Sequence, residues 1–245
     1  MFYNNKTITK VLDSEIVEWD IKSANVSVME YYQLHNQKTI DKLRALPKAD
    51  RVKRVGILQR NPNFAKALED GFNKIMAEFI IINSIPSENI ISIKRDAIFV
   101  KNHAITVNQF GTCVEFVPKN RYLHYLKVNS LQFFIGREKI DVKGLSDTRL
   151  PVHENGILQF IRDVCKEGHD YYRVNTYLKE FFTAYKKKEL PFDYYREFND
   201  SSLYKLNEMG YEFTQEHIDE SDMDTLDISY NLTNILIPVL QLFIN

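Results

Sequence analysis

Ile16-Val-Glu-Trp-Asp-Ile-Lys-Ser-Ala-Asn-Val-Ser-Val-Met-Glu-Tyr-Tyr-Gln-Leu34 decides how this chain folds. The stretch opens as a short apolar run that ends on Asp20, between Trp19 and Ile21. After Ser23 the spacing changes. Val26, Met29 and Tyr32 or Gln33 recur every three or four residues, while Ser23, Ser27 and Glu30 fall on another side. A period of about 2 giving way to one near 3.6 predicts a strand running into a helix, with Asp20 at the strand's exit. A carboxylate there, backed by apolar neighbours, can be held rigidly and presented to a cleft. An Asp ahead of a helix is more often only a turn or cap residue. The rest of the chain must therefore supply a second acid before Asp20 means chemistry.

Downstream, Ile40–Leu46 reads as a short helix that stops before Pro47, because the residue preceding a proline is pushed out of the helical region. A basic segment follows, with Lys48, Arg51, Lys53, Arg54 and Arg60 around Gly56 and Gln59. Val52, Val55, Ile57 and Leu58 interleave with these cations, which predicts one packed side and one positive side. Such an element suits a triphosphate or a phosphate backbone; equally, a charge run is a solvated face. From Asn61 to Asn83 the apolar residues Phe64, Leu68, Phe72, Ile75 or Met76, Phe79 and Ile82 or Ile81 keep helical spacing and read as a core stripe, with Asn61 as cap and Pro62 in the first turn. Ile90–Val100 is dense in β-branched residues and predicts two strands meeting at Lys94–Ala97, with Asp96 at the bend. An Asp with apolar runs on both sides needs turn chemistry or a ligand.

Further out, Thr7–Leu12 reads as a strand, 103–117 as a hairpin turning at Gln109–Gly111, and Leu131–Ile135 and Lys139–Leu145 as strands flanking Gly136. After Pro151 the pattern becomes helical, most clearly over Glu154–Lys166 and Val174–Lys187. Asp219–Asp227 reads as a solvated acidic loop, and the charge-free Ile228–Asn245 as a buried helix kinked at Pro238.

The chain's 245 residues suffice for one large or two small domains. Only 8 of them are Gly, and no glycine-rich phosphate loop occurs. The net charge of −1 means that any nucleic-acid binding must use a local patch. Cys113 and Cys165 fit no metal spacing, nor do the six His, and the cysteines read as free thiols in a reducing compartment. The N-terminus has no apolar signal segment, and the C-terminal stretch is too short and polar for a membrane span. A cytoplasmic location without membrane contact is the expectation.

Two carboxylates held side by side can bind a pair of Mg²⁺ ions about 3.5–4 Å apart, activating a 3′-hydroxyl and neutralising a leaving pyrophosphate. Mg²⁺ favours few carboxylates plus substrate phosphates, so two acids can suffice. Asp20-Ile-Lys-Ser-Ala-Asn-Val-Ser-Val-Met resembles motif A of template-dependent DNA polymerases, in which an Asp leaves a palm strand ahead of a helix. Ile90–Val100 is similar to their motif C hairpin, with Asp96 as the second metal-binding Asp. Arg51, Lys53, Gly56 and Gln59 stand in the slot of the fingers motif, and Lys119-Asn-Arg-Tyr122 with Val142-Lys-Gly-Leu145 resemble family B elements that hold the primer terminus.

The resemblance implies an α+β fold: a palm-like antiparallel sheet backed by helices over 1–150, with minimal fingers at about 36–62, then a helical thumb-like region and tail over 151–245. It implies Mg²⁺ on Asp20 and Asp96, with the carbonyl of Ile21 as a further ligand. Arg51, Lys53, Arg54, Gln59 and Asn25 would meet the nucleoside triphosphate, and Lys119, Arg121, Tyr122 and Lys143 the primer–template. Small size and a Lys-, Asn- and Ile-rich composition suit a phage-type genome, which would make the location the host cytoplasm. The sequence also departs from the family. Arg95 and Ala97 flank Asp96 where a second acid is usual, and Asn25 stands near the position that screens the ribose 2′-hydroxyl. The 19 residues ahead of Asp20 leave no room for a proofreading exonuclease.

Three functions follow. The first is a DNA polymerase-like nucleotidyltransferase, whether a minimal palm and thumb or one chain of a split polymerase with a partner subunit. The second is a non-catalytic palm that binds nucleic acid as an accessory subunit. The third is an interaction protein that uses aromatics such as Phe181, Phe182, Tyr185, Tyr194, Tyr195 and Phe198, most of which read better as core.

Overall fold

Ile16–Ile21 forms a strand flanked on both sides, and none of its six residues is exposed. A computed structural model describes residues 3–143, 154–168, 170–187, 189 and 235–244. The chain divides into two units, Met1–Ile8 with Ser14–Tyr122 and Thr9–Asp13 with Leu123–Asn245. The division falls at Tyr122, ahead of the boundary expected at 150, because the strands after Tyr122 pair among themselves and with a short strand near the N-terminus.

In the first unit a six-stranded antiparallel sheet has the order β1 (Tyr3–Asn4), β4 (Ile90–Lys94), β5 (Ala97–Lys101), β3 (Ile16–Ile21), β7 (Val114–Tyr122) and β6 (Gln109–Phe110). Four helices accompany it: α1 (Ala24–Tyr31), α2 (Gln37–Ala45), α3 (Lys48–Leu58) and α4 (Pro62–Ile82). Sequence dictates their ends. Asn36 caps α2 by accepting from the Thr39 amide, and α2 stops before Pro47. Asn61 caps α4 by accepting from the Asn63 and Phe64 amides, with Pro62 in the first turn.

The α4 stripe Leu68, Phe72, Ile75, Met76 and Phe79 is buried in the unit's core, but its expected last members, Ile81 and Ile82 in the final turn, are exposed. Gly71 belongs to that stripe, since a Cβ there would stand 2.8 Å from Val28 Cγ1, so only glycine lets α4 and α1 approach this closely. Phe79 stacks on Phe116 at 4.0 Å and touches Trp19 and Phe110. Such aromatic pairs add about 0.5–1.5 kcal/mol each beyond their buried area. One expectation fails in α3: Val55 alone packs fully, while Val52 and Ile57 are more than half exposed. An 11-residue helix touching the core by one turn's worth of surface hides only the residue that points straight inward.

The second unit holds a four-stranded antiparallel sheet in the order β10 (Ile140–Lys143), β9 (Leu131–Ile135), β8 (His124–Val128) and β2 (Lys10–Val11). Among the described residues its helices are α5 (Glu154–Glu167), α6 (Tyr171–Lys186) and α7 (Ile237–Ile244). Leu126, Val128, Phe133 and Ile135 pack with Phe160, Ile161 and Val164 of α5, Phe181 of α6 and Phe243 of α7. Pro238 is the second residue of α7, which continues directly from π-helical residues 235–236. The acidic stretch Asp219–Asp227, the residues Tyr194, Tyr195 and Phe198, the pair Gly144–Leu145, and the side chains of Phe182 and Tyr185 lie outside the described residues.

Candidate functional site

Asp20 is the next-to-last residue of β3, opposite Ala97 on β5 and Val117 on β7. Two ladders therefore fix its backbone, and its side chain keeps 23% exposure. The chain then turns sharply. Ser23 takes a left-handed conformation (φ 53°), its carbonyl receives the Val26 and Ser27 amides, and the Ser27 hydroxyl donates to the Lys22 carbonyl at 2.8 Å. Asp96 sits in the β4–β5 turn, and its carbonyl accepts from the Ile21 amide at 3.0 Å. That bond ties the second acid's backbone to the residue following the first. Both acids line one cleft of about 280 Å³ with Ile21, Asn25, Lys48 and Arg51.

The helical period explains which cations reach it. Lys48, Arg51, Val52 and Val55 follow one another along one side of α3, and the first three line the cleft. Lys53 and Arg54 are exposed away from it, and Gln59, the residue that ends α3, is not among its lining residues. Lys48, part of the basic run but not singled out by sequence reasoning, also lines the cleft.

Behind Asp20 lies a group that sequence reasoning missed. Glu18 is two positions earlier on β3 and so on the same face; it is only 3% exposed. Its Oε2 accepts from the Tyr122 hydroxyl at 3.1 Å and from the Asn120 amide. The i−2 spacing from Asp20 was the available signal. This network corrects the expectation for Tyr122: the ring is 1% exposed and its hydroxyl is engaged inside, so it offers nothing to a primer. Arg121 is ion-paired with the exposed Glu15, and Lys143 ends β10 in the second unit, in register with Gln132.

Glu18 pairs with Asn120 and Trp19 with Pro118, which leaves Lys119 as the extra residue of a β-bulge in β7. A bulge re-aims a side chain, and here Lys119 Nζ lies 3.0 Å from Asp20 Oδ2 and 4.0 Å from Glu18 Oε1. The hydrogen bond to Asp20 raises the lysine's pKa; partial burial opposes this, and the charges of Asp20, Glu18 and Asp96 reinforce it. Arg95, the other cation beside the acids in sequence, instead stacks over the Phe72 ring at 4.8 Å.

The arrangement offers hard oxygen donors at one end of a cleft and a guanidinium and an ammonium from α3 lining the same space. Among the described residues no group of three His, Cys, Asp or Glu forms a metal cage, and no helix is long and apolar enough to cross a membrane.

The family model described as Bacteriophage PBS1 gene 130 protein matches residues 1–244. No curated protein matches the sequence. Among solved structures, the chain is similar to the family B DNA polymerase from the hyperthermophilic archaeon Pyrobaculum calidifontis, with a TM-score of 0.52 and 12% identity. The match covers 96% of this chain and 45% of that one, so the chain spans less than half of that polymerase's length. At this identity the likeness is one of fold: α+β, with antiparallel sheets backed by helices.

Proposed function

Starting from the chain's membership of the Bacteriophage PBS1 gene 130 protein family, we propose that it is a DNA polymerase-like nucleotidyltransferase acting on a primer–template. The observation that carries this reading is the shared cleft, in which Asp20 and Asp96 lie with Arg51 and Lys48. The donor set suits Mg²⁺, a hard cation that accepts one or two carboxylates and leaves its other positions to water and phosphate oxygens. Asp20 and Asp96 would hold it, with the Ile21 carbonyl as a further oxygen. When bound, it supplies the acidity that activates a primer 3′-hydroxyl and the charge that steadies a departing pyrophosphate.

The protein's own residues do the rest. Arg51 presents a planar fork suited to two phosphate oxygens, and Lys48 adds a point charge beside it. Both come from one helix, so a triphosphate is held at a fixed distance from the acids. Asn25, in the first turn of α1, faces the same cleft and meets the sugar. Lys53 and Arg54, exposed outside the cleft, suit nucleic-acid phosphates better than the triphosphate. The helices of the second unit serve as a thumb, and the chain works with a partner polymerase subunit.

The test is incorporation of labelled nucleotide on a primed template with Mg²⁺, by the purified chain alone and with any chain that co-purifies. Incorporation that Asp20→Asn abolishes supports the proposal, and its absence in both preparations defeats it.

A second reading, a palm without catalysis that binds nucleic acid as an accessory subunit, is favoured by the buried Ala97 beside Asp96. It is selected if binding persists without divalent metal and survives Asp20→Ala. The slope of affinity against salt would then count the phosphate contacts.

A further inference from the structure

Asp20 already has a cation. Lys119 lies at hydrogen-bond distance from it, carried there by the bulge and not by the strand's regular alternation. A divalent ion and an ammonium drawn to the same carboxylate repel each other strongly even at protein-like dielectric values. Loading of Asp20 therefore requires the lysine to leave, and the structure contains a place for it. Both hydrogen bonds to Glu18 fall on Oε2. Its Oε1 faces Lys119 Nζ across 4.0 Å, so a shift of roughly one ångström brings the ammonium into hydrogen-bond range. The lysine side chain is 53% exposed and free to make that shift, whereas Glu18 is fixed by Tyr122 and Asn120.

We propose that Lys119 is a resident counter-ion of Asp20, handed across to Glu18 when a divalent cation binds, and so a positioning residue for the cation site and not a primer contact. This rests on the reading that Asp20 takes a divalent cation. Without a cation, Lys119 keeps the carboxylate neutralised and held in place. With one, Glu18 holds the displaced charge beside the site instead of leaving it in the cation's way.

The experiment is titration of the full chain with Mn²⁺ alone, following free Mn²⁺ by its EPR signal, for wild type, Lys119→Met, Lys119→Arg, Glu18→Gln, the Glu18→Gln/Lys119→Met double variant and Asp20→Asn. Thermal midpoint and Trp19 emission check that each variant folds. The expected result is binding about tenfold tighter in Lys119→Met and near wild type in Lys119→Arg, which keeps the charge. Glu18→Gln should weaken binding in the wild-type background and change it little in Lys119→Met, because Glu18 acts through the lysine. Equal affinity in wild type and Lys119→Met, with binding lost in Asp20→Asn, overturns the counter-ion role and leaves the cation reading standing. Additive effects of the Glu18 and Lys119 changes overturn the handover. Absence of Mn²⁺ binding from every variant overturns both the proposal and the cation reading beneath it.

Discussion

Two ladders, one in each unit, show opposite uses of the same element. The β8–β9 pair runs without a break from His124↔Ile135 to Val128↔Leu131, joined by a tight turn at Asn129. Its apolar residues Leu126, Val128, Phe133 and Ile135 go to the second unit's core. Within it the buried Gln132 donates to the Tyr125 hydroxyl at 3.1 Å. The β3–β7 pair is broken by a bulge, and the charged and polar groups Glu18, Asp20, Lys119 and Asn120 gather at the break. Regular pairing spends its side chains on packing. Irregular pairing places a lysine where alternation would not, against the carboxylate of Asp20.

Four measurements break or sharpen that contrast. The largest effect is expected at the irregular ladder's end, where Asp20→Asn, like Asp96→Asn across the turn, should lower nucleotide incorporation by about 100-fold or more while the thermal midpoint stays close to wild type. Equal activity would remove the chemistry from the contrast.

In the regular ladder, Phe133→Ala empties a fully buried position and should cost about 3–5 kcal/mol in denaturant unfolding. A cost below about 1 kcal/mol would mean that this ladder is not where the second unit stores its stability.

The third measurement concerns pH. Burial pushes the Tyr125 hydroxyl from 10.0 to about 12, with the Gln132 hydrogen bond pulling slightly the other way. The folded form thus favours the neutral phenol. That stabilisation is fully present below pH 10 and is lost as pH rises toward 12. Tyr125→Phe should flatten this part of the alkaline stability curve, and an unchanged curve would assign the loss to other groups.

The smallest effect compares two left-handed residues, Ser23 after β3 and Asn129 in the β8–β9 turn, with φ of 53° and 54°. Serine tolerates this conformation less well than asparagine. Ser23→Gly should stabilise by about 0.5 kcal/mol and Asn129→Gly by less, since glycine also loosens the unfolded chain.

Much of the frame was legible because it depends on local period. The change of spacing at Ser23, the stripe from Phe64 to Phe79 and the β-branched run around Asp96 each dictate an element with little help from the rest of the fold. The two acids could be placed at strand exits for the same reason. The remainder was hidden because it depends on pairing. Lys119 reads as one more cation on a strand until its neighbours are assigned to Glu18 and Trp19. Tyr122 reads as a surface aromatic until Glu18 stands behind it. The division at Tyr122 arises from partners 111 and more residues away, such as Val11 opposite Tyr125 and the His124 imidazole accepting from the Asp13 amide. The bareness of Val52 and Ile57 on α3 follows from how little core that helix meets, which interleaving of cations and apolar residues cannot reveal.

The bulge has a consequence at the level of the gene. Ile16 to Glu18 pair with Tyr122 to Asn120, and Trp19 to Ile21 pair with Pro118 to Phe116, so in this ladder Lys119 alone has no residue opposite it. Loss of its codon would close the ladder with every other partnership unchanged. A sheet with a lysine set against Asp20 and one without it therefore stand a single in-frame deletion apart.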